Sequence, residues 1–332
     1  MADQHSETIP RELDAGPESK RRASLSDWLG LIRFSHTLFA LPFAALATVL
    51  AIVTPLPDGS LARPGWLDVL ALLLCMVTAR SAAMAFNRLV DHRIDAENPR
   101  TMKRHLPAGI LSRRAVTLFT LICSAGFVGS TALFLPNWLP LAGAVPVLVF
   151  LLSYSLAKRL TSAAHLWLGI ALSLSPICAW VAIRGPASLQ DAGGAWTTLP
   201  GDLLAPVMIA FAVAMWVAGF DIVYACQDAD YDRQSNLHSV PAKFGQQGAF
   251  RIAAGFHALM FVSLVALPFV APQLGFGWVY SIALIAIAGL IMRQHWLVRP
   301  GELDRVNEAF FHANVAISVL LLVAGSVDSL WL

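Results

Sequence analysis

Apolar runs of about 20 residues recur along almost the whole chain, and this feature constrains the fold more than any other. At ~1.5 Å rise per residue, a helix of that length crosses the ~30 Å hydrocarbon core of a bilayer. The runs fall at about 29–53, 65–87, 115–136, 139–157, 162–183, 203–225, 250–271, 275–295 and 309–331. Nine transmembrane helices are expected. The fold class is all-α and polytopic. Charged residues are 13% of the 332, where a soluble chain carries roughly 25%. That is too few to cover a water-facing surface. Disordered, fibrous and nucleic-acid-binding chains are excluded on the same ground.

The first 27 residues are polar and charged, with Pro10 and Pro17. They read as a flexible cytoplasmic tail, and residues 28–332 as one nine-helix membrane domain. Trp28, Trp66, Trp138, Trp278, Trp296 and Trp331 fall near span ends, as interfacial anchors do. Pro42, Pro146, Pro176 and Pro206 lie within spans, which membrane helices tolerate. Cys75, Cys123, Cys178 and Cys226 are scattered singly through apolar stretches and read as small packing residues, with no metal-site spacing.

The 23 Lys and Arg are distributed unevenly. Arg11, Lys20, Arg21 and Arg22 sit in the tail. Seven more, from Arg88 to Arg114, follow span two. Lys158 and Arg159 follow span four, and further basic residues follow spans six and eight. The opposite connections hold only Arg63 and Arg184. Positive charge is retained on the cytoplasmic side, so the N-terminus and the even-numbered connections are expected there and the C-terminus outside.

Two acidic motifs leave the membrane on that same side. Asn87, Asp91 and Asp95 are spaced i, i+4, i+8 and share one helix face. Asp221, Tyr224, Asp228 and Asp232 share one face of a second helix, while Asp230 points the other way. A constant offset of 137 residues carries Asn87, Asp91 and Asp95 onto Tyr224, Asp228 and Asp232, which reads as an internal repeat. Carboxylates gathered at one place repel one another unless a cation intervenes. Hard oxygen ligands suit Mg²⁺, which commonly shares its coordination with phosphate oxygens. Arg100, Lys103, Arg104, Lys158 and Arg159 lie nearby and suit a phosphate group. The pattern points to a substrate with a diphosphate head and an apolar tail. The plainer alternative makes these acids ordinary loop charges satisfied by the neighbouring bases; two copies at matched spacing speak against it.

Arg80 lies seven residues before Asn87, on nearly the same face and ~10 Å deeper. An ionisable residue at that depth is expensive and functional by default, here as a site for an anionic group of a second substrate. Its alternative is a structural salt bridge, with Asp221 as one partner. Arg33, His36 and His165 are weaker candidates, with His165 read as a satisfied interior histidine. Asp68 reads as a solvated charge.

These residues resemble the UbiA superfamily of intramembrane aromatic prenyltransferases. The resemblance rests on Asn87-x3-Asp91-x3-Asp95 with Pro99-Arg100-Thr101 and Arg104-His105-Leu106-Pro107-Ala108-Gly109, and on Asp221-x2-Tyr224-x3-Asp228-x3-Asp232. Tyr154 followed by Lys158-Arg159-Leu160-Thr161, and the stretch RFSHTLFALPFA, also fit. The chain is most similar to the 4-hydroxybenzoate polyprenyltransferase branch, which shares an Arg at the position of Arg80. His105 departs from the proline usual there. The resemblance implies nine helices around a central cavity open to the cytoplasmic interface, in a bacterial inner membrane. It implies Mg²⁺-dependent transfer of a polyprenyl group from polyprenyl diphosphate to an aromatic acid, 4-hydroxybenzoate, in ubiquinone biosynthesis. Asn87, Asp91, Asp95, Asp228 and Asp232 would hold the metal, and Arg100, Arg104, Lys158 and Arg159 the diphosphate. Arg80 would bind the acceptor carboxylate, and the Tyr224 ring would stabilise an allylic cation. Asp221 either assists proton removal or orients Tyr224. No nucleic acid and no obligate protein partner are implied. The alternatives are another acceptor in the same superfamily, a menaquinone-pathway aromatic or haem, and an ion-coupled transporter. A CDP-alcohol phosphotransferase and a soluble prenyl diphosphate synthase are excluded by missing motifs.

Overall fold

The structure is a computed structural model and describes residues 23–32, 41–190, 203–298, 301, 303 and 306–331. Its α-helices are α1 (Leu25–Leu31), α2 (Leu41–Val53), α3 (Trp66–Glu97), α4 (Arg113–Thr131), α5 (Leu139–Leu160), α6 (Ala164–Arg184), α7 (Leu204–Ala225), α8 (Ala229–Gln234), α9 (Val240–Val270), α10 (Trp278–Leu297) and α11 (Val306–Trp331). Among the described residues there is no strand, and eight helices are long and apolar enough to cross a membrane. The expected first span, 29–53, is described only as α1 and the 13-residue α2; residues 33–40, with Arg33 and His36, lie outside the described residues. Residues 1–22 of the expected tail also lie outside them. Past them, Ser24 and Asp27 of the expected tail already form the capping box that starts α1.

α7 organises the bundle. About 72% of its most apolar stretch is buried inside the protein, against 17–44% for the other seven candidate spans. It packs against α6 and α9, and α3 packs against α4. Gly169 on α6 makes the α6–α7 approach possible: a Cβ there would lie 2.3 Å from the Ala214 carbonyl oxygen. Trp180, Trp216 and Tyr280 fill the core around α7. The outward faces of the remaining helices carry exposed Leu, Val and Ile, as lipid contact requires. Trp66, Trp138, Trp278, Trp296 and Trp331 are exposed, and Trp28 packs on Phe119 at 4.9 Å. Pro146 and Pro176 lie inside α5 and α6, whereas Pro206 falls in the first turn of α7, where its missing N–H costs nothing.

Two differences from the sequence reading bear on the site. α3 runs 32 residues, ten past the expected end of span two, so Asn87, Asp91 and Asp95 stand on the helix itself. The second motif is not one continuous α-helix. α7 ends at Ala225, Cys226–Asp228 form a 3₁₀ turn, and α8 follows. The tighter turn shifts Asp228 and Asp232 relative to Tyr224, because 3.0 residues per turn replace 3.6. Arg184, counted above as a charge of an outer connection, is buried and donates to the carbonyls of Ala51, Thr54 and Pro55. It thereby satisfies carbonyl groups at the end of α2 that have no partner within the helix.

Candidate active site

The two motifs meet. The Tyr231 hydroxyl donates to the Ile94 carbonyl at 2.9 Å, joining two residues separated by the repeat offset of 137. Asn98, just past α3, donates its side-chain N–H to Asp228 Oδ1 at 3.2 Å. The loop after α3 then crosses from one motif to the other. Its Arg100 forks onto both oxygens of Asp228, with Nε to Oδ1 at 2.7 Å and Nη2 to Oδ2. Its Arg104 donates to Asp95 Oδ1 at 2.6 Å. Thr101 anchors the loop by donating to the Asp95 carbonyl at 3.0 Å. Burial of Arg100 works to lower its pKa, but the hydrogen bond and charge of Asp228 outweigh it, and the net direction is upward.

The other acids follow the same logic. Asn87 donates to Asp91 Oδ2 at 2.8 Å, and Arg159 approaches Asp91 Oδ1 at 3.4 Å. Arg88 lies 3.7 Å from Asp95 Oδ2 and is buried with it. Lys158 stands in the field of Asp232, Asp221, Asp228 and Asp91, between the two motifs. Asp230 lies on the surface with Arg233 at 3.1 Å. Tyr224 accepts from Arg100 Nη1 at 3.3 Å, and the same guanidinium carbon sits 5.4 Å from its ring centroid, so the ring already serves as a platform for a cation. Asp221 takes a partner the sequence did not suggest. It accepts from His165 Nδ1 at 2.7 Å, so the pairing of Asp221 with Arg80 is not made. Asp68 accepts from the Gly65 N–H at 2.7 Å at the start of α3.

Three of the bases expected to hold phosphate, Arg100, Arg104 and Arg159, therefore rest on the acids. Among the described residues no three carboxylate, His or Cys groups form a ready-made metal cluster. The donor set nevertheless fits a hard cation. Asp95 Oδ2 and Asp232 Oδ2, one on each motif, are buried without a hydrogen-bond donor. Arg88 lies 3.7 Å from the first and Lys158 stands in the field of the second, and each oxygen keeps a lone pair that a hard cation could take up.

Below the motifs lies an apolar cavity of about 270 Å³. It is bounded by α3, α5 and α6 and runs from Leu72 to Met84 along α3, which is roughly 18 Å. Its inner end holds Met84 and Tyr154, one helical turn from Asn87 and Lys158, with Arg80 one turn deeper on α3. Arg80 is part-buried there, with Nε itself buried and unpartnered. Cys75 and Cys178 line the same cavity. His105, in place of the usual proline, packs against α1: a Cβ on Gly30 would lie 2.9 Å from its ring. α1 thereby lies directly on the loop that carries Arg100 and Arg104.

The sequence reading missed Arg88, Asn98 and the role of His165. Arg88 and Asp95 are spaced i, i+7 on one helix, a signal visible only once α3 is extended past residue 87.

A family model described as the UbiA prenyltransferase family matches residues 40–315. The chain belongs to that family. It is 30% identical over 259 residues to the 4-hydroxybenzoate octaprenyltransferase of Methylobacillus flagellatus, spanning 76% of this chain and 80% of the relative. The apo structure of a UbiA homolog from Aeropyrum pernix K1 superposes with a TM-score of 0.72 at 31% identity, over 87% of this chain and 96% of that one. A UbiA homolog from Archaeoglobus fulgidus, bound to GPP and Mg²⁺, shares the fold with a TM-score of 0.64 at 18% identity, over 90% and 98%. This UbiA member is an integral membrane protein and a prenyltransferase. The transporter alternative falls with that membership.

Proposed function

We propose that the chain transfers a polyprenyl group from a polyprenyl diphosphate to the ring of an aromatic acid, 4-hydroxybenzoate. The observation that carries this reading is the placement of Arg80, whose Nε is buried and unpartnered, in an apolar cavity about two helical turns below the acidic motifs. An anionic aromatic and an apolar tail both find their complement there. The names of relatives such as the Methylobacillus enzyme support the acceptor, and the Archaeoglobus homolog supports the metal.

Asp91 and Asp95 with Asn87, and Asp228 with Asp232, would hold Mg²⁺. When bound, the metal supplies positive charge to the leaving diphosphate. Arg100, Arg104 and Arg159 exchange their carboxylate partners for phosphate oxygens and, with Lys158, neutralise the charge that develops as the allylic C–O bond ionises. The apolar walls keep water from the cation. Release of Arg100 frees the face of Tyr224, whose ring is placed to stabilise it. Arg80 holds the acceptor carboxylate in a bidentate fork. The acceptor ring attacks the cation, and the displaced ring proton passes to Asp221, leaving its electron pair to restore aromaticity. We assign this step to Asp221 because its partner is a histidine rather than an arginine, which leaves a carboxylate free of a guanidinium clamp. The test is an assay of the purified protein with a radiolabelled prenyl diphosphate against a panel of aromatic acids. Label is expected in 4-hydroxybenzoate; transfer only to non-carboxylated acceptors overturns the assignment.

We also infer that the motif side faces the cytoplasm of a bacterial inner membrane, from the basic residues of the 88–114, 158–159 and 233–251 stretches. Cysteines placed at residues 110 and 236 are expected to react with an impermeant reagent only from the cytoplasmic side, and one at residue 190 only from the opposite side. Labelling of 110 and 236 from different sides contradicts both the orientation and the single site.

A further inference from the structure

His165 belongs to α6 and is 1% exposed, yet it touches two other elements of the site. Its Nδ1 lies 2.7 Å from Asp221 Oδ2 on α7. Its Nε2 lies 3.3 Å from the backbone nitrogen of Val240, the first residue of α9. A backbone N–H can only donate, so Nε2 must carry a lone pair, and the ring proton must then sit on Nδ1 and point at Asp221. Both nitrogens are thereby committed. The ring is an uncharged bridge with one donor end and one acceptor end. The same α9 approach is held a second time, by the His238 N–H donating to the Lys158 carbonyl at 2.7 Å. The side chain of that same Lys158 lies in the field of Asp221.

We propose that His165 is a positioning residue: a neutral imidazole that fixes one oxygen of Asp221 against the α6–α9 junction and leaves the other free of it, and that it takes no proton in the cycle. This rests on reading Asp221 as the proton acceptor of a prenyl-transfer site. The bridge has a specific chemical consequence. A glutamine amide also offers a donor and an acceptor at the two ends of one planar group, so it can reproduce both bonds, but it cannot transfer a proton in this pH range. An acid–base role and a positioning role therefore separate at a single substitution.

The experiment compares His165→Ala and His165→Gln with the wild type, full-length and in detergent, measuring kcat, both KM values and the melting temperature. Loss of the bridge in His165→Ala is expected to lower kcat roughly ten- to a hundredfold with both KM values within about threefold, and His165→Gln to recover kcat to within about threefold of wild type. A His165→Gln enzyme as slow as His165→Ala makes the imidazole a proton carrier and overturns the proposal. So does an unimpaired His165→Ala. So does a His165→Ala enzyme whose melting temperature falls while both KM values rise together, which marks a packing residue. ¹⁵N-histidine spectra of the wild type, with the His165 signals identified by their loss in His165→Gln, read the bridge without turnover. A protonated Nδ1 and a bare Nε2 are expected, and any other tautomer overturns the proposal. Absence of prenyl transfer by the wild type would remove the prenyl-transfer reading instead, and the spectrum would still decide the bridge.

Discussion

Asp91→Ala is expected to lose turnover by at least about a hundredfold while the protein inserts, purifies and melts like the wild type. Asp91 is the cleanest of the four acids to remove. Its basic contact is Arg159 at 3.4 Å, a half-exposed and long pair whose loss costs little stability. Asp95 is a poorer probe, since its removal strands the buried Arg88 as well as Arg104. Asp228→Ala is expected to be equally inactive but less stable, because it frees the fork of Arg100 and the amide of Asn98 together. Asp230→Ala, on the surface with Arg233, is the control and leaves activity unchanged. Chelation of divalent metal by EDTA is expected to silence the wild type, with Mg²⁺ restoring it. Full turnover of Asp91→Ala in excess chelator would sink the metal assignment, whatever became of the fold.

The spans were legible because hydropathy acts over 20 residues and tolerates local error, so eight of the expected runs reappear as long helices within a few residues at most ends. Two ends miss by ten residues, the end of α3 and the start of α9, and the first is informative. Reading span two as ending at Asn87 turned Arg88 into a loop charge. The polar end of α3 is in fact a helix of protein contacts, with Arg88 folded onto Asp95. Hydropathy reports where a chain meets lipid and says nothing of where its helix stops. The facing of the two motifs was legible from the repeat, and the Tyr231–Ile94 hydrogen bond joins repeat-related positions. The 3₁₀ turn at Cys226–Asp228 was not, since no proline or glycine marks it. Nor was the rest state of the bases legible. Arg100, Arg104 and Arg159 lie on carboxylates here, a pairing that sequence proximity allows equally with phosphate binding. Long-range partners such as His165 and Asp221, 56 residues apart, leave no periodic trace at all.

Arg80→Ala is expected to raise the KM for the aromatic acid by roughly ten- to a hundredfold, the equivalent of ~1.5–3 kcal/mol for one charge-assisted bond, with a smaller effect on the prenyl diphosphate. The structure sharpens what should happen to stability. A structural arginine would be locked to a carboxylate, and the partner suggested by the sequence, Asp221, is bonded to His165 instead. Arg80 stands in an apolar cavity with its Nε buried and unpartnered. Burying a guanidinium that way opposes folding, so its removal is expected to leave the melting temperature unchanged or higher. A residue whose loss stabilises the protein and weakens one substrate is one retained for binding. Arg80→Lys is expected to recover only part of the acceptor affinity, because a single ammonium cannot reproduce the two parallel bonds of the fork. The two KM values and the melting temperature of Arg80→Ala decide the matter together. A lower melting temperature with both substrates affected alike would make Arg80 structural. An unchanged acceptor KM in a well-folded protein would remove the physical case for a carboxylated acceptor, while the paired acidic motifs would still require a diphosphate.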